Sequence, residues 1–152
     1  MVQTSNYKYE STKIIPLGSC AFRQPYAQSH CKFIHGYRLQ AKFWFGCNEL
    51  DANNWVVDFG GMKPMKKWLE ETFDHKTLVA EDDPELDWFE MAHRRGMIDM
   101  VRVPAVGCEK FAEMIFKKCE EFLRLHSYSP RVRLESVEVR EHGANSGLYT
   151  RN

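Results

Sequence analysis

The chain has 152 residues, of which 43% are hydrophobic and 28% charged, and its 21 basic and 21 acidic side chains give a formal net charge of zero. This length and composition predict one globular domain over residues 1–152 with a single hydrophobic core. The balanced charge argues against a nucleic-acid partner or a membrane surface, and no apolar run approaches the roughly 18 residues of a membrane span.

The cysteines predict a reducing compartment. Their number is odd, and no two have the Cys-x-x-Cys spacing of a zinc knuckle. The polar N-terminus lacks the charged-then-apolar order of a signal peptide. We therefore expect a cytoplasmic protein with free thiols at Cys20, Cys31, Cys47, Cys108 and Cys119.

The first third of the sequence predicts two strands. Residues 1–11 are polar and predict a loose lead-in, and residues 13–24 are compatible with a strand. From 33 to 45 the residues alternate with the two-residue period of a long strand that has one buried face. His35 and Tyr37 lie at the end of that face.

The middle of the chain predicts helices. Residues 48–54 favour a hairpin turn, 55–59 a return strand and 62–73 a helix. A second helix is marked by Asp83 as a candidate N-cap and by Gly96 as its terminator.

A third helix is predicted over 108–125, and its Cys119 is expected in the core. A strand over 131–141 follows, with a β-bulge near Ser136 where the apolar positions change parity, and a last strand over 148–150. Two strands, helices and two more strands predict an α+β fold with an antiparallel sheet.

Three residues are candidates for proton transfer. Cys31 lies between a histidine and a lysine, and neighbouring cations favour the reactive thiolate, although an ordinary loop thiol has the same local sequence. Asp74 and His75 are adjacent, and the imidazole would shuttle protons if an acid or a thiol met it. The alternative for this pair is a solvated turn.

Two glutamates are candidates for ligand binding. Glu109 opens the third helix, where the helix dipole alone also favours a carboxylate. Glu141 falls on the apolar face of its strand, where a carboxylate needs a partner. That partner is either a guanidine-like ligand group, which a carboxylate binds in a bidentate manner, or an internal arginine.

These pieces together resemble the 6-pyruvoyltetrahydropterin synthase and 6-carboxytetrahydropterin synthase family, from about Lys13 to Tyr149. The resemblance lies in the order and spacing of several short segments. They are Cys31 to Gly36, Trp55 to Lys63, Phe73 to Leu78, Glu109 at a helix start, and Val137 to Glu141.

The resemblance implies the tunnelling fold, a four-stranded antiparallel sheet with helices packed on one face and a helix pair between its second and third strands. It also implies a homo-oligomeric barrel, a hexamer or tetramer, that binds a small pterin or purine at its subunit interfaces. Cys31 matches the catalytic cysteine, Asp74 and His75 match the assisting acid/base pair, and Glu141 and Glu109 match the glutamates of the pterin pocket.

The resemblance further implies catalytic zinc held by three histidines, but the sequence departs from that set. Only His35 matches, because Phe22 and Tyr37 occupy the other two positions. One imidazole falls short of the roughly three protein ligands of a catalytic zinc site. A second departure lies at the third helix, where Gly107 and Cys108 replace hydroxyl residues of the family.

The leading hypothesis is a lyase like 6-carboxytetrahydropterin synthase, acting on 7,8-dihydroneopterin triphosphate or a relative in 7-deazapurine (queuosine-type) biosynthesis. One alternative is a zinc-free enzyme on a different pterin or purine, with Arg23, His35 and Tyr37 in place of the metal. Another is a non-catalytic pterin- or purine-binding protein.

Overall fold

One curved, mixed sheet organises the protein in a computed structural model that describes residues 6–151. The sheet has six strands in the order β4-β3-β1-β2-β5-β6 within those residues. The elements in chain order are β1 (Tyr9–Phe22), β2 (His35–Cys47), α1 (Lys63–Phe73), β3 (Lys76–Ala80), α2 (Leu86–Arg94), β4 (Met100–Val103), α3 (Cys108–Leu125), β5 (Arg133–His142) and β6 (Asn145–Thr150). No helix in the described range is both long and apolar enough to cross a membrane.

The predicted antiparallel strands form the larger part of this sheet. β1 pairs with β2, β2 with β5, and β5 with β6, all antiparallel. The prediction of four strands is wrong in number, because β3 and β4 extend the sheet beyond β1 in parallel orientation. The sequence hides both strands because they are short, and β3 is buried at all but its first residue, so it lacks a polar face.

Helix α3 supplies much of the core, as its apolar stripe predicts. Phe111, Ile115 and Cys119 are fully buried on this helix. They share one hydrophobic core with Phe43 and Phe45 of β2, which are also fully buried, and the helix itself packs mainly on β5 and β6. Removing a side chain of this size from water contributes roughly 2–3 kcal/mol, so this layer fixes the sheet against the helix.

Two local predictions are corrected at the start of the chain and after β2. The strand β1 begins at Tyr9, so the end of the predicted lead-in is strand, while residues 1–5 lie outside the described residues. The predicted return strand over 55–59 is instead a series of bends that ends in a 3-10 turn, Phe59–Met62.

Side chains explain why residues 55–59 form no strand. The Asp51 carboxylate accepts the amides of Asn53 and Trp55. The guanidinium of Arg131 donates to a carbonyl oxygen at each end of the loop, one of them that of Val56. The backbone groups that a neighbouring strand would pair are therefore already satisfied.

The predicted bulge in β5 is confirmed. Trp44 pairs with Ser136, but the next residue of β2, Phe45, pairs with Leu134, so Glu135 is the extra residue. Gly96 ends α2 with a φ of 75°, as expected. Asp83 was predicted as the N-cap of α2, but the N-cap residue is Glu85. The Asp83 carboxylate accepts the amide of Glu85 and so caps the turn just before the helix.

Candidate functional site

Three rings meet at the end of the β1–β2 hairpin. Phe22 of β1 pairs directly with His35 of β2, and their ring centroids are 5.1 Å apart. Tyr37, two residues along β2, lies edge-on to His35 at 5.2 Å and 6.0 Å from Phe22. The positions that the resemblance assigns to a metal are therefore brought together in space.

The side chains at these positions do not fit a zinc ion. Only 2% of Phe22 is exposed, and its ring has no atom that can bind a metal. Tyr37 would have to lose a proton whose ordinary pKa is about 10. Within residues 6–151, no group of three or more histidine, cysteine, aspartate or glutamate side chains is placed to hold a metal.

The tautomer of His35 follows from one hydrogen bond. Its Nδ1 lies 2.7 Å from the carbonyl oxygen of Phe33. A carbonyl oxygen only accepts, so Nδ1 carries the proton and donates it. The Nε2 lone pair of the neutral ring is left free for a ligand, and the ring is held in place beside Phe22 and Tyr37.

Tyr37 connects the hairpin end to the end of β5, because its ring lies 6.5 Å from that of His142. Burial raises the pKa of its hydroxyl above the usual value, and the charges of Glu141, Cys31 and Cys108 raise it further. The hydroxyl therefore stays protonated at neutral pH.

Glu141 has a partner that the sequence does not suggest. The Cys108 thiol, at the first residue of α3, donates to Glu141 Oε1 at 3.6 Å. Burial, followed by the charge of Glu141, raises the pKa of Cys108 to about 12, so it remains a thiol. Neither alternative predicted for Glu141 includes this contact, and the internal arginine partner is wrong because no arginine bonds it within residues 6–151.

The first turn of α3 lies in close contact with β6. A Cβ at Gly147 would lie 2.5 Å from the amide nitrogen of Glu109. Gly107, the N-cap, has a φ of 115°, and a Cβ there would lie 2.6 Å from Gln24 Nε2. Glycine is therefore required at both positions, and it brings Glu109 and Cys108 to the end of β5.

Cys31 is presented by a single 3-10 turn between β1 and β2, His30–Lys32. Its amide donates to the Ser29 hydroxyl at 3.4 Å, and its carbonyl oxygen accepts the amide of Gln24 at 2.8 Å. Its side chain is half-buried, whereas the other four cysteines are buried. The backbone of this thiol is thus fixed while its sulfur stays accessible.

Asp74 and His75 do form a hydrogen-bonded pair. His75 Nδ1 donates to Asp74 Oδ1 at 3.0 Å, and the same oxygen accepts the amide of Ser19 at 3.2 Å. His75 holds a left-handed backbone with a φ of 60°, which costs energy for a side chain of this type. Gly18 makes room for the pair, because a Cβ there would lie 2.0 Å from Asp74 Oδ1.

The structure does not bring this pair to Cys31 within one chain. No hydrogen bond or ion pair joins Cys31 to Asp74 or His75 in the described range. The His75 side chain is 85% exposed. The protomer therefore carries two half-sites, one around Cys31, Tyr37 and Glu141 and one at Asp74–His75.

A groove of about 580 Å³ lies at the opposite end of the β1–β2 hairpin, bordered by Tyr9, Trp55 and Phe59. Its carboxylate Asp58 is used locally, because Oδ1 accepts the amide of Gly60 at 2.9 Å. None of the residues that the resemblance assigns to the site borders this groove.

A half-buried carboxylate bonded by a thiol, and an Asp–His pair just before β3, are groups suited to acid–base chemistry. The chain matches the family described as 6-pyruvoyl tetrahydropterin synthase over residues 18–152, and it belongs to that family.

Curated relatives named 6-carboxy-5,6,7,8-tetrahydropterin synthase include those of Rickettsia conorii and Rickettsia felis. Each is 38% identical over 60 residues, which is 39% of this chain and 44% of the relative. The chain thus matches less than half the length of these curated relatives.

Solved structures share the fold. An uncharacterized protein from Wolinella succinogenes superposes with a TM-score of 0.80 at 16% identity, covering 95% of this chain and 98% of that one. The 6-pyruvoyl tetrahydropterin synthase of Plasmodium falciparum superposes with a TM-score of 0.66 at 14% identity, covering 93% and 98%.

Proposed function

We propose that the protein is a pterin-site lyase resembling 6-carboxytetrahydropterin synthase. Its substrate is 7,8-dihydroneopterin triphosphate or a close relative, in cytoplasmic 7-deazapurine (queuosine-type) biosynthesis. The observation that carries this proposal is the half-buried Glu141, which the Cys108 thiol bonds at the end of β5, beside the Tyr37 end of the β1–β2 hairpin. Family membership and the names of the curated relatives support it.

The pocket end of the site suits the ring of a pterin. An ionised Glu141 accepts two parallel hydrogen bonds from the 2-amino group and the adjacent ring N–H, as it would from a guanidinium. Cys108 holds one carboxylate oxygen in place. Glu109 adds a second carboxylate at the start of α3, whose dipole favours it.

The other end of the site suits proton transfer. Cys31 accepts a proton from the substrate side chain, and the Asp74–His75 pair supplies the second acid/base group. Asp74 orients the imidazole through the bond at 3.0 Å. Both groups must reach the same substrate, and no hydrogen bond or ion pair joins them within the described residues of one chain.

We therefore propose a homo-oligomer, a hexamer or tetramer, in which Asp74–His75 of one protomer completes the Cys31 site of another. The exposure of His75 supports this arrangement. So does the unpaired edge of β1, because β3 pairs only with Cys20 and Ala21, which leaves the rest of that edge available to another sheet.

The test is turnover by the purified protein. It is incubated with 7,8-dihydroneopterin triphosphate, with and without added zinc, and the pterin products are followed by chromatography and mass spectrometry. Cys31→Ala serves as the inactive control. A protein that binds the pterin but gives no product in either condition is a binding protein, and the lyase proposal then fails.

A further inference from the structure

The rings of Phe22, His35 and Tyr37 at the end of the β1–β2 hairpin offer a hydrogen-bond donor at the place where the resemblance implies a metal. We propose that the Tyr37 hydroxyl, supported by His35 and Phe22, takes the place of a metal and donates a hydrogen bond to an oxygen of the substrate side chain. This inference rests on the proposed pterin function and adds to it the group that stabilises charge during the reaction.

The position of Tyr37 carries the first step of the argument. Its ring lies 6.5 Å from that of His142, the residue that follows Glu141 on β5. It also stands near the start of β2, just after the turn that carries Cys31. A hydroxyl at this position lies at the end of the sheet where the substrate side chain would join the pterin ring. Among residues 6–151 the hydroxyl has no hydrogen-bond partner of its own, so it is free to donate to a ligand.

The packing around Tyr37 carries the second step. His35 lies edge-on to its ring at an interplanar angle of 88°, and Phe22 contacts both rings. Phe22 is itself packed edge-on against the fully buried Phe111 at 5.1 Å. The phenol is therefore oriented by the core before any substrate arrives, which is the condition for an effective donor.

The reaction explains what such a donor does. The proposed substrate gains a side-chain carbonyl by isomerisation, in which the C–H and O–H hydrogens of its first side-chain carbon move to the carbon and nitrogen of the adjacent ring C=N bond. When Cys31 then removes a proton from the carbon beside that carbonyl, the C–H electron pair forms a C=C bond and the carbonyl π pair moves to oxygen. A hydroxyl aimed at that oxygen stabilises its new charge. Losing one donor of this kind typically lowers kcat about 100-fold to 1000-fold.

Arg23, the other candidate from the sequence, is not available for this role. Its guanidinium donates to both carboxylate oxygens of Asp83, at 2.5 and 2.9 Å, and it lies over the Phe89 ring at 5.8 Å. Of the three residues considered in place of the metal, Tyr37 and His35 therefore remain.

The first test measures ligand binding, so that it does not depend on turnover. Two 7,8-dihydropterins are titrated, one with a carbonyl in its side chain and one without a side chain. We expect Tyr37→Phe to weaken binding of the first by about fivefold to tenfold and to leave the second unchanged. Tyr26→Phe, which removes an exposed hydroxyl bound to the Asp82 carbonyl, is the matched control.

The second test measures metal binding directly. Zinc is titrated into the native protein, into Tyr37→His and into the double variant Phe22→His, Tyr37→His, and bound metal is measured by mass spectrometry. We expect no stoichiometric zinc on the native chain and about one ion per chain on the double variant, which has three imidazoles. The amount of zinc bound by the native protein decides the result even if the double variant does not fold.

The outcomes separate the two proposals. Native protein that binds stoichiometric zinc, and loses it on His35→Ala, overturns this inference and leaves the pterin lyase standing. Equal effects of Tyr37→Phe on both pterins also overturn it. Selective weakening without turnover supports the donor role and overturns only the lyase, whereas failure of either pterin to bind overturns both.

Discussion

Phe22 and His35 face each other across β1 and β2, with their ring centroids 5.1 Å apart. One ring of this cross-strand pair is apolar and the other has a free nitrogen lone pair. The pair brings together two positions that the resemblance assigns to metal ligands, with a metal-binding atom on His35 alone. Function at this end of the sheet therefore has to be predicted from the side chains present.

Cys31 is expected to react first with a thiol reagent. It is the half-buried cysteine, and the other four are buried. Burial raises the pKa of Cys20, Cys108 and Cys119 to about 12, which keeps them protonated. Limited treatment with iodoacetamide followed by peptide mass spectrometry should find one modified site, and Cys31→Ser should abolish it. Prior modification of Cys108 would contradict the placement of these thiols.

Glu141→Gln is expected to weaken pterin binding by about 10-fold to 100-fold, because a neutral amide replaces a charge-assisted bidentate acceptor. Isothermal titration of a 7,8-dihydropterin measures the change. Glu138→Gln is the matched control on the same strand, since Glu138 bonds Arg140 and Ser146 instead of Cys108. Equal losses in the two variants would place the pterin elsewhere.

Mixing two inactive variants is expected to restore activity. Cys31→Ala lacks one half-site and His75→Ala lacks the other, so co-assembled protomers form some complete sites if the halves come from different chains. The variants are unfolded and refolded together, and turnover is compared with each variant refolded alone. No recovery from a mixed oligomer would show that each chain completes its own site.

Gly18→Ala is expected to lower the free energy of unfolding by about 2–4 kcal/mol, because strain in a left-handed backbone adds to a clash with the Asp74 carboxylate. Gly96→Ala is the matched control, with a φ of 75° against 82° at Gly18 and no atom within 4 Å of its Cβ. Gly96→Ala should therefore cost only about 1 kcal/mol. Urea denaturation measures both, and turnover should fall in Gly18→Ala alone.

Arg23→Ala is expected to destabilise the protein by about 3 kcal/mol at neutral pH, because it leaves the buried Asp83 charge unpaired. Burial opposes ionisation of Asp83, but the bonds from Arg23 and the Glu85 amide outweigh it and hold the pKa of Asp83 below its usual value. The stabilisation is thus present above the unfolded-state pKa of about 3.9 and is lost as the pH falls through the lower folded-state value.

Denaturation of native protein and Arg23→Ala at a series of pH values measures that dependence. The difference in stability should be constant near neutral pH and should shrink below about pH 4. Lys67→Ala, which removes an exposed ion pair with Glu71, is the control and should change little at any pH. A difference that grows as the pH falls would contradict the assignment to Asp83.

The sequence predicted the long elements because their periodicity is strong. The alternation over 33–45 and the apolar stripe of α3 each extend over several turns or residue pairs. The parity change in β5 predicted a bulge near Ser136, next to the extra residue Glu135. Strands β3 and β4 were missed because five and four residues are too few to show a period.

The site residues were predicted one at a time and not as an arrangement. Cys31, Asp74 and Glu141 stand at recognisable positions, whereas their separation into two half-sites depends on how β3 docks on β1. The contact between Cys108 and Glu141 was missed because residues 33 apart in sequence give no local signal. A thiol at the start of the helix, next to Glu109, was the one available indication.

Strand β1 lies between the two half-sites. On one edge Cys20 pairs with Tyr37 and Phe22 with His35, and on the other edge Ser19 bonds Asp74 and His75. The spacing between the thiol region and the imidazole is therefore set by a few residues of one extended backbone. Insertions in the long loops would leave that spacing unchanged, whereas a one-residue deletion in the second half of β1 would move one set of groups relative to the other.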